Sequence, residues 1–148
     1  MTSWYIILAL QSLFTFVLTG LIWSVQKIHY PLFHWVEKDK FCDFIRDYQT
    51  KISFLLSPLM VLECFFGVLL LTVARAGEDR LIAFILFGLL LVIWFSTFCL
   101  QIPEHVSLSR EFHYKSIRKL IASNWIRTIS WTLRSLLLGW LIFHTHLH

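Results

Sequence analysis

The sequence predicts an all-α integral membrane protein, a bundle of four transmembrane helices, and three observations predict it. Of the 148 residues 57% are hydrophobic, against about 45–50% in an ordinary soluble domain. Four windows of about twenty apolar residues, the length that crosses a bilayer, can be laid along the chain: Trp4 to Val25, Ile52 to Val73, Leu81 to Ile102 and Trp125 to Phe143. Most of the basic residues gather in two of the three intervening connections. Too little chain lies outside the windows for a second domain, so residues 1–148 are expected to form one.

The first window has no basic leader, and its apolar run exceeds the roughly 7–15 residues of a signal-peptide core, which predicts a retained helix. The connection after it carries Lys27, Lys38, Lys40, Arg46 and Lys51. Within it Phe41, Phe44, Ile45 and Tyr48 form a stripe opposed by Lys40, Asp43 and Asp47, the pattern of an amphipathic helix lying in the headgroup plane. The second window holds Pro58, which predicts a kink five residues before Glu63. Its Ser53, Ser57, Met60, Cys64 and Gly67 recur at helical spacing and predict a close-packed seam. Gly77, Glu78 and Asp79 mark the link 74–80 as a turn. The third window runs into a connection with Arg110, Lys115, Arg118, Lys119 and Arg127. There Glu111 lies four before Lys115, and His113, Ile117, Leu120 and Ile121 share a face, a second interfacial helix. The fourth window is interrupted by Arg134. Because the short link has only Arg75 and Arg80, the positive-inside rule places both long connections in the cytoplasm and both termini outside. Trp4, Tyr5, Trp23, Trp125 and Trp140 fall near window ends, where amphipathic rings favour the headgroup region.

The windows pair into two helical hairpins of the same orientation. Gln26, His29 and Pro31 leave the first helix much as Gln101, Pro103 and His105 leave the third, and Lys51-Ile52-Ser53 opens the second much as Arg127-Thr128-Ile129-Ser130 opens the fourth. This predicts a parallel internal repeat, an arrangement that places sites between the repeats. The net charge of +4 reads as a topology signal and an attraction to anionic lipid headgroups rather than to nucleic acid. No nucleotide motif is present, which argues against an ATP-driven role. Cys42, Cys64 and Cys99 form no spaced pair, so a disulfide framework is not expected. His144, His146 and His148 alternate and could bind a divalent ion.

Glu63 and Arg134 are the first candidates for function, because an uncompensated charge in a spanning helix costs roughly 2.5–3.5 kcal/mol on insertion scales. Either the two side chains meet or they line a wet cavity. By a rise of about 1.5 Å per residue Glu63 lies about 16 Å past Ile52, and Arg134 about 10 Å past Arg127. Gln26, His29, Gln101, His105, Asn124 and Arg127 cluster instead near the cytoplasmic rim, so two tiers are expected. In the lower tier Glu63 serves as a base, proton relay or ligand anchor with Arg134 beside it, or the pair only fixes helix register. In the upper tier the amides and histidines position a ligand's polar end. No metal is required by the sequence; a metal or haem held by His29 and His105 is the other option.

The Pro103-Glu104-His105 exit from the third helix and the Asn124-Trp125-Ile126-Arg127-Thr128 entry to the fourth resemble the small anthrone-oxygenase-like four-helix membrane proteins. That resemblance implies a cofactor-independent oxygenase acting on an aromatic, quinone-forming substrate. The chain departs from the pattern in having His105 where an asparagine-like residue is expected, and in carrying Glu63. The leading expectation is binding, with oxidation, of a lipophilic aromatic or quinone-like molecule near the cytoplasmic leaflet. The alternatives are a proton- or ion-coupled transporter, which would need a homo-oligomer, and an accessory subunit of a membrane complex.

Overall fold

The two connections read as separate interfacial helices are helical, but they are continuous with the helices they precede. In the computed structural model, which describes residues 2–147 and the side chains of residues 3–144, the second rod begins at Phe41 rather than near Ile52. No glycine or proline interrupts residues 41–57, and the ion pairs of Arg46 with Asp43 and of Lys51 with Asp47 support the helix along its exposed side. The chain runs α1 (Thr2–Ser24), a π-helical turn (Val25–His29), α2 (Tyr30–Leu32), a 3₁₀ turn (Phe33–Trp35), α3 (Phe41–Val73), α4 (Glu78–Ser96), a second π turn (Thr97–Gln101), α5 (Ile102–Arg110) and α6 (Tyr114–Leu147). Among the described residues there is no strand.

Three helical rods, Ser3–Trp35, Phe41–Val73 and Glu78–Arg110, are each 33 residues long and apolar enough to cross a membrane. At about 1.5 Å per residue each spans about 50 Å, against a hydrocarbon core of about 30 Å. α6 is a fourth rod of 34 residues. α1 packs on α3 and α6, and α4 packs on α6 and α3, closing a ring of four. Gly77 adopts a φ of 90° in the link between α3 and α4, a left-handed conformation that L side chains rarely adopt. Glu78 and Asp79 then occupy the first turn of α4, where carboxylates complement the helix dipole.

The helices continue past Pro31 and Pro103 rather than ending there. Proline removes an N–H and crowds the carbonyl four residues back. In each case a π turn precedes it: the N–H of Tyr30 bonds to the Val25 carbonyl and that of Ile102 to the Thr97 carbonyl. The wider turn absorbs the proline and re-aims the side chains around it, as π-bulges do at many functional sites.

Polarity is arranged from inside to outside in reverse of a soluble domain. Phe54, Leu136 and Phe143 are 85%, 65% and 68% exposed, whereas Gln11, Thr15, Gln26, Glu63, Asn124 and Arg134 are buried. Two apolar clusters lie along the bundle. One, near the chain ends, joins Trp4, Leu8, Leu70, Ile82, Leu86, Leu138 and Leu141. The other, toward the long connections, joins Leu18, Ile22, Tyr30, Phe33, Phe41, Leu56, Met60, Ile93 and Trp131. A polar layer built on Glu63 and Arg134 separates them. Gly67 keeps that layer tight, since a Cβ there would stand 3.1 Å from Leu90 Cδ2.

Candidate functional site

Glu63 and Arg134 meet, and they do so in a closed setting. Both are essentially without solvent exposure, at 0% and 1%. Glu63 Oε1 accepts hydrogen bonds from Thr15 Oγ1 at 2.7 Å and Arg134 Nε at 3.2 Å, and Arg134 Nη2 stands 3.2 Å from the same oxygen. Trp131 Nε1 donates toward both carboxylate oxygens, at 3.2 and 3.0 Å. Arg134 Nη1 donates to the Leu86 carbonyl, and Gln11 Nε2 donates to Thr15 Oγ1. A carboxylate that accepts four hydrogen bonds from three donor groups has its acceptor capacity nearly filled. Neither Glu63 nor Arg134 lines the upper-tier cavity or the four surface grooves on the connection side and rods.

The upper tier is different, because it surrounds space. A cavity of about 130 Å³ is lined by Ile22, Val25 and Tyr30 from the first rod, Tyr48, Ile52, Ser53, Leu56, Ser57 and Met60 from α3, Thr97, Gln101, Ile102 and His105 from the third rod, and Arg127 from α6. Both π turns contribute to the wall, through Val25 and through Thr97 and Gln101. Ile22, Tyr30, Gln101 and Arg127 form its buried floor, while Ser53, Ser57 and Ile102 are exposed at its rim.

Hydrogen bonds fix much of this tier. Asn124 Nδ2 donates to Gln26 Oε1 at 2.8 Å, and Gln26 Nε2 donates to the Ile121 carbonyl at 3.3 Å. Tyr30 donates its hydroxyl to Gln101 Oε1 at 3.2 Å, and Gln101 Nε2 donates to Ser123 Oγ at 2.7 Å. Lys119 pairs with Glu104 beside the α5 wall. Gln26 and Asn124 therefore tie α6 to the first rod and are not part of the cavity wall. Gln101, His105 and Arg127 are part of it.

The two histidines diverge in surroundings. His29 Nδ1 lies 3.3 Å from the Tyr48 hydroxyl and lines a groove with Leu32, Phe33 and Phe44 outside the cavity. His105 packs against the Tyr48 ring with centroids 6.5 Å apart, and its Nδ1 is buried with no hydrogen-bond partner. Among the described residues no group of three or more His, Cys, Asp and Glu side chains gathers as a metal site. The grouping of His144, His146 and His148 reaches beyond the described side chains at its last two members.

Comparison of the chain with known protein families, with curated proteins and with solved structures finds no match. Function is therefore argued from the residues themselves.

Several residues in the two tiers carried little signal in the sequence. Trp131 lies four positions after Arg127 and three before Arg134, on one face with both, and that spacing is the clue that could have found it. Its ring sits 5.1 Å from the Arg127 guanidinium while its N–H serves Glu63, so one side chain joins the tiers. Gln11, Ser12 and Thr15 are polar residues clustered on one face of an apolar helix, and that cluster marks the lower tier from the α1 side. Tyr30 and Tyr48 read as aromatic packing. Ser53, Ser57 and Met60, expected as a packed seam, border the cavity instead.

Proposed function

We propose that this chain is a four-span membrane protein that binds a lipophilic aromatic, quinone-like molecule in the upper-tier cavity. The observation that carries the reading is the cavity itself. Its walls combine Ile22, Val25, Leu56 and Met60 with a few convergent polar groups on Tyr30, Tyr48, Gln101, His105 and Arg127, the composition of a small-molecule site. In this reading the polar groups orient a ring oxygen and the apolar wall takes the ring. Oxidation of the bound ring, with dioxygen as the electron acceptor, is the chemistry that the anthrone-oxygenase-like resemblance adds. The Glu63–Arg134 pair acts as architecture rather than as catalyst, supported by its closed donor shell and its separation from the cavity. The same closure weighs against an ion-coupling role for Glu63.

Four spans are supported by the outward faces of α6. Leu133, Leu136, Trp140 and Phe143 are exposed while Arg134 is turned inward, so lipid would meet an apolar surface. The parallel repeat is supported by a shared separation, in a register four residues short of the one that aligns Gln26 with Gln101 and five short of the one that aligns Lys51 with Arg127. Tyr30 and Gln101, and likewise Glu63 and Arg134, are hydrogen-bonded partners 71 residues apart. Five of the seven buried positions of α3, Leu56, Met60, Glu63, Gly67 and Leu70, correspond at that separation to Arg127, Trp131, Arg134, Leu138 and Leu141, all buried in α6, whereas Phe41 and Ile45 fall opposite the half-buried Phe112 and Ser116. A residue bonded to its own counterpart lies beside the local two-fold axis. Duplication within one chain lets the two sides of that axis carry opposite charges, which two identical copies could not.

Two measurements test these statements. Photo-crosslinking with an azido-naphthoquinone is expected to label peptides containing Ser53–Met60 and Ile102–His105, with competition by unlabelled quinone, and Leu56→Trp is expected to lower affinity at least tenfold by filling the cavity. Uncompeted labelling confined to lipid-facing residues such as Phe54 would overturn the site. For topology, Ala76→Cys in a variant lacking the native cysteines is expected to react with an impermeant maleimide from outside, and Lys115→Cys only in inverted vesicles. The reverse pattern would invert the orientation.

A further inference from the structure

Arg127 is 6% exposed, and no carboxylate among the described residues pairs with it. Its Nε is buried without a hydrogen-bond partner, and among the described residues its guanidinium donates only from Nη2 to the Met60 sulfur at 3.9 Å, a weak acceptor. The Trp131 ring beneath it offers a cation–π contact but no hydrogen bond. A buried guanidinium normally has an anionic partner, because an unpaired charge in a low-dielectric interior costs several kcal/mol. Arg134, one tier below, shows the charge-paired case within the same helix, with Glu63 as its anion.

Arg127 lines the cavity, and so does His105, whose Nδ1 is also buried and unpartnered. Two orphan groups on neighbouring rods of the ring, one a fixed cation on α6 and one on α5 able to donate as the Nδ1–H tautomer, define a receptor for an oxygen bearing negative charge. The rim bears on the rest of the ligand. Ser53, Ser57 and Ile102 stand beside Phe54, Leu55 and Phe98, which are 85%, 47% and 57% exposed. An opening through that surface admits a molecule whose body is apolar.

We propose that the cavity takes an amphiphile whose polar end is an oxyanion, with Arg127 as its counter-charge and His105 as a second donor. This deepens the reading of the cavity as a site for an aromatic, quinone-like molecule and rests on it for the location. Two ligand sources share the chemistry: an ionised hydroxyl on an aromatic ring, and the carboxylate of a fatty acid.

The test uses matched probes on the full-length protein in nanodiscs. Binding is measured for 2-hydroxy-1,4-naphthoquinone, which is ionised at neutral pH, against its neutral 2-methoxy ether, and for laurate against methyl laurate. At least one ionised probe is expected to bind tenfold or more tightly than its neutral partner. That preference is expected to vanish in Arg127→Gln and to survive, weakened, in Arg127→Lys. If only the naphthoquinone pair discriminates, the ligand is an aromatic oxyanion and both readings stand. If only laurate does, the oxyanion inference stands and the aromatic one falls. If the two naphthoquinones bind equally and laurate behaves as its ester does, the aromatic cavity survives and the oxyanion inference is overturned. If no probe binds, both are overturned. Arg127→Gln is expected to melt no lower than wild type, since it removes an unpaired charge; should it fail to fold, the preference measured on the wild-type protein decides the matter alone.

Discussion

Replacing Glu63 with leucine is expected to destabilise the folded protein by roughly 3–5 kcal/mol, the loss seen when one partner of a buried ion pair is removed. The substitution strands three donors in one step. Arg134 loses the acceptor of its Nε, Trp131 loses both acceptors of its Nε1, and the Thr15 hydroxyl loses its 2.7 Å partner. Water cannot compensate, because Glu63 and Arg134 are sealed between two apolar clusters. The paired variant Glu63→Leu with Arg134→Leu removes the charge problem and is expected to recover most of the loss, leaving a deficit of about 1–2 kcal/mol from the unsatisfied Trp131 and Thr15 donors. Reversible unfolding in mixed micelles, followed by near-ultraviolet circular dichroism, measures both. A double variant as unstable as the single one would mean that the pair does more than neutralise its two charges. A naphthoquinone affinity that is unchanged in the folded double variant is also expected, because the pair lies outside the cavity; a loss there would return Glu63 to a direct role in ligand handling.

The residues that could be read from sequence are those whose chemistry is conspicuous in an apolar context. Glu63 and Arg134 stood out because charge is expensive in a spanning helix, and Gln101, His105 and Arg127 because they cluster at one helix end. Composition was sufficient for an all-helical chain with membrane-length apolar helices. What could not be read was division of labour. Gln26 and Asn124 look equivalent to Gln101 in type and position, yet they spend their amides on each other and on the Ile121 carbonyl. His29 and His105 look like a matched pair, yet both abut Tyr48 and only His105 lines the cavity. Such assignments depend on helix rotation, and two π turns shift the register of the first and third rods where the upper-tier residues lie. A π turn inserts a residue without any marker of its own; only the prolines that follow hint at it. α3 and α6 start at Phe41 and Tyr114, well before the apolar windows at Ile52 and Trp125, for another reason. Polarity marks where a chain leaves the apolar layer, whereas a helix ends where its hydrogen bonding is broken.

Trp131 is where the second large effect is expected, and its two halves can be separated. The side chain is fully buried, so Trp131→Ala should cost about 3–5 kcal/mol through the cavity it leaves. Trp131→Phe keeps a ring near the Arg127 guanidinium but deletes the N–H that reaches Glu63 Oε2 at 3.0 Å. Because Glu63 keeps Arg134 and Thr15, the phenylalanine variant should lose only about 1–3 kcal/mol, the range for one charge-assisted bond. Ligand affinity should separate the two variants further. Phenylalanine keeps an aromatic ring beside the Arg127 guanidinium, so Trp131→Phe is expected to bind ionised probes within about threefold of wild type. In Trp131→Ala the guanidinium loses its platform and can relax into the new space, and affinity should fall by tenfold or more, the equivalent of about 1.4 kcal/mol. Calorimetric titration of the two variants beside their unfolding curves reads both quantities. If affinity and stability fell in the same proportion in both, Trp131 would be a packing residue alone; if phenylalanine restores affinity without restoring stability, the indole N–H belongs to the lower tier and the indole ring to the upper.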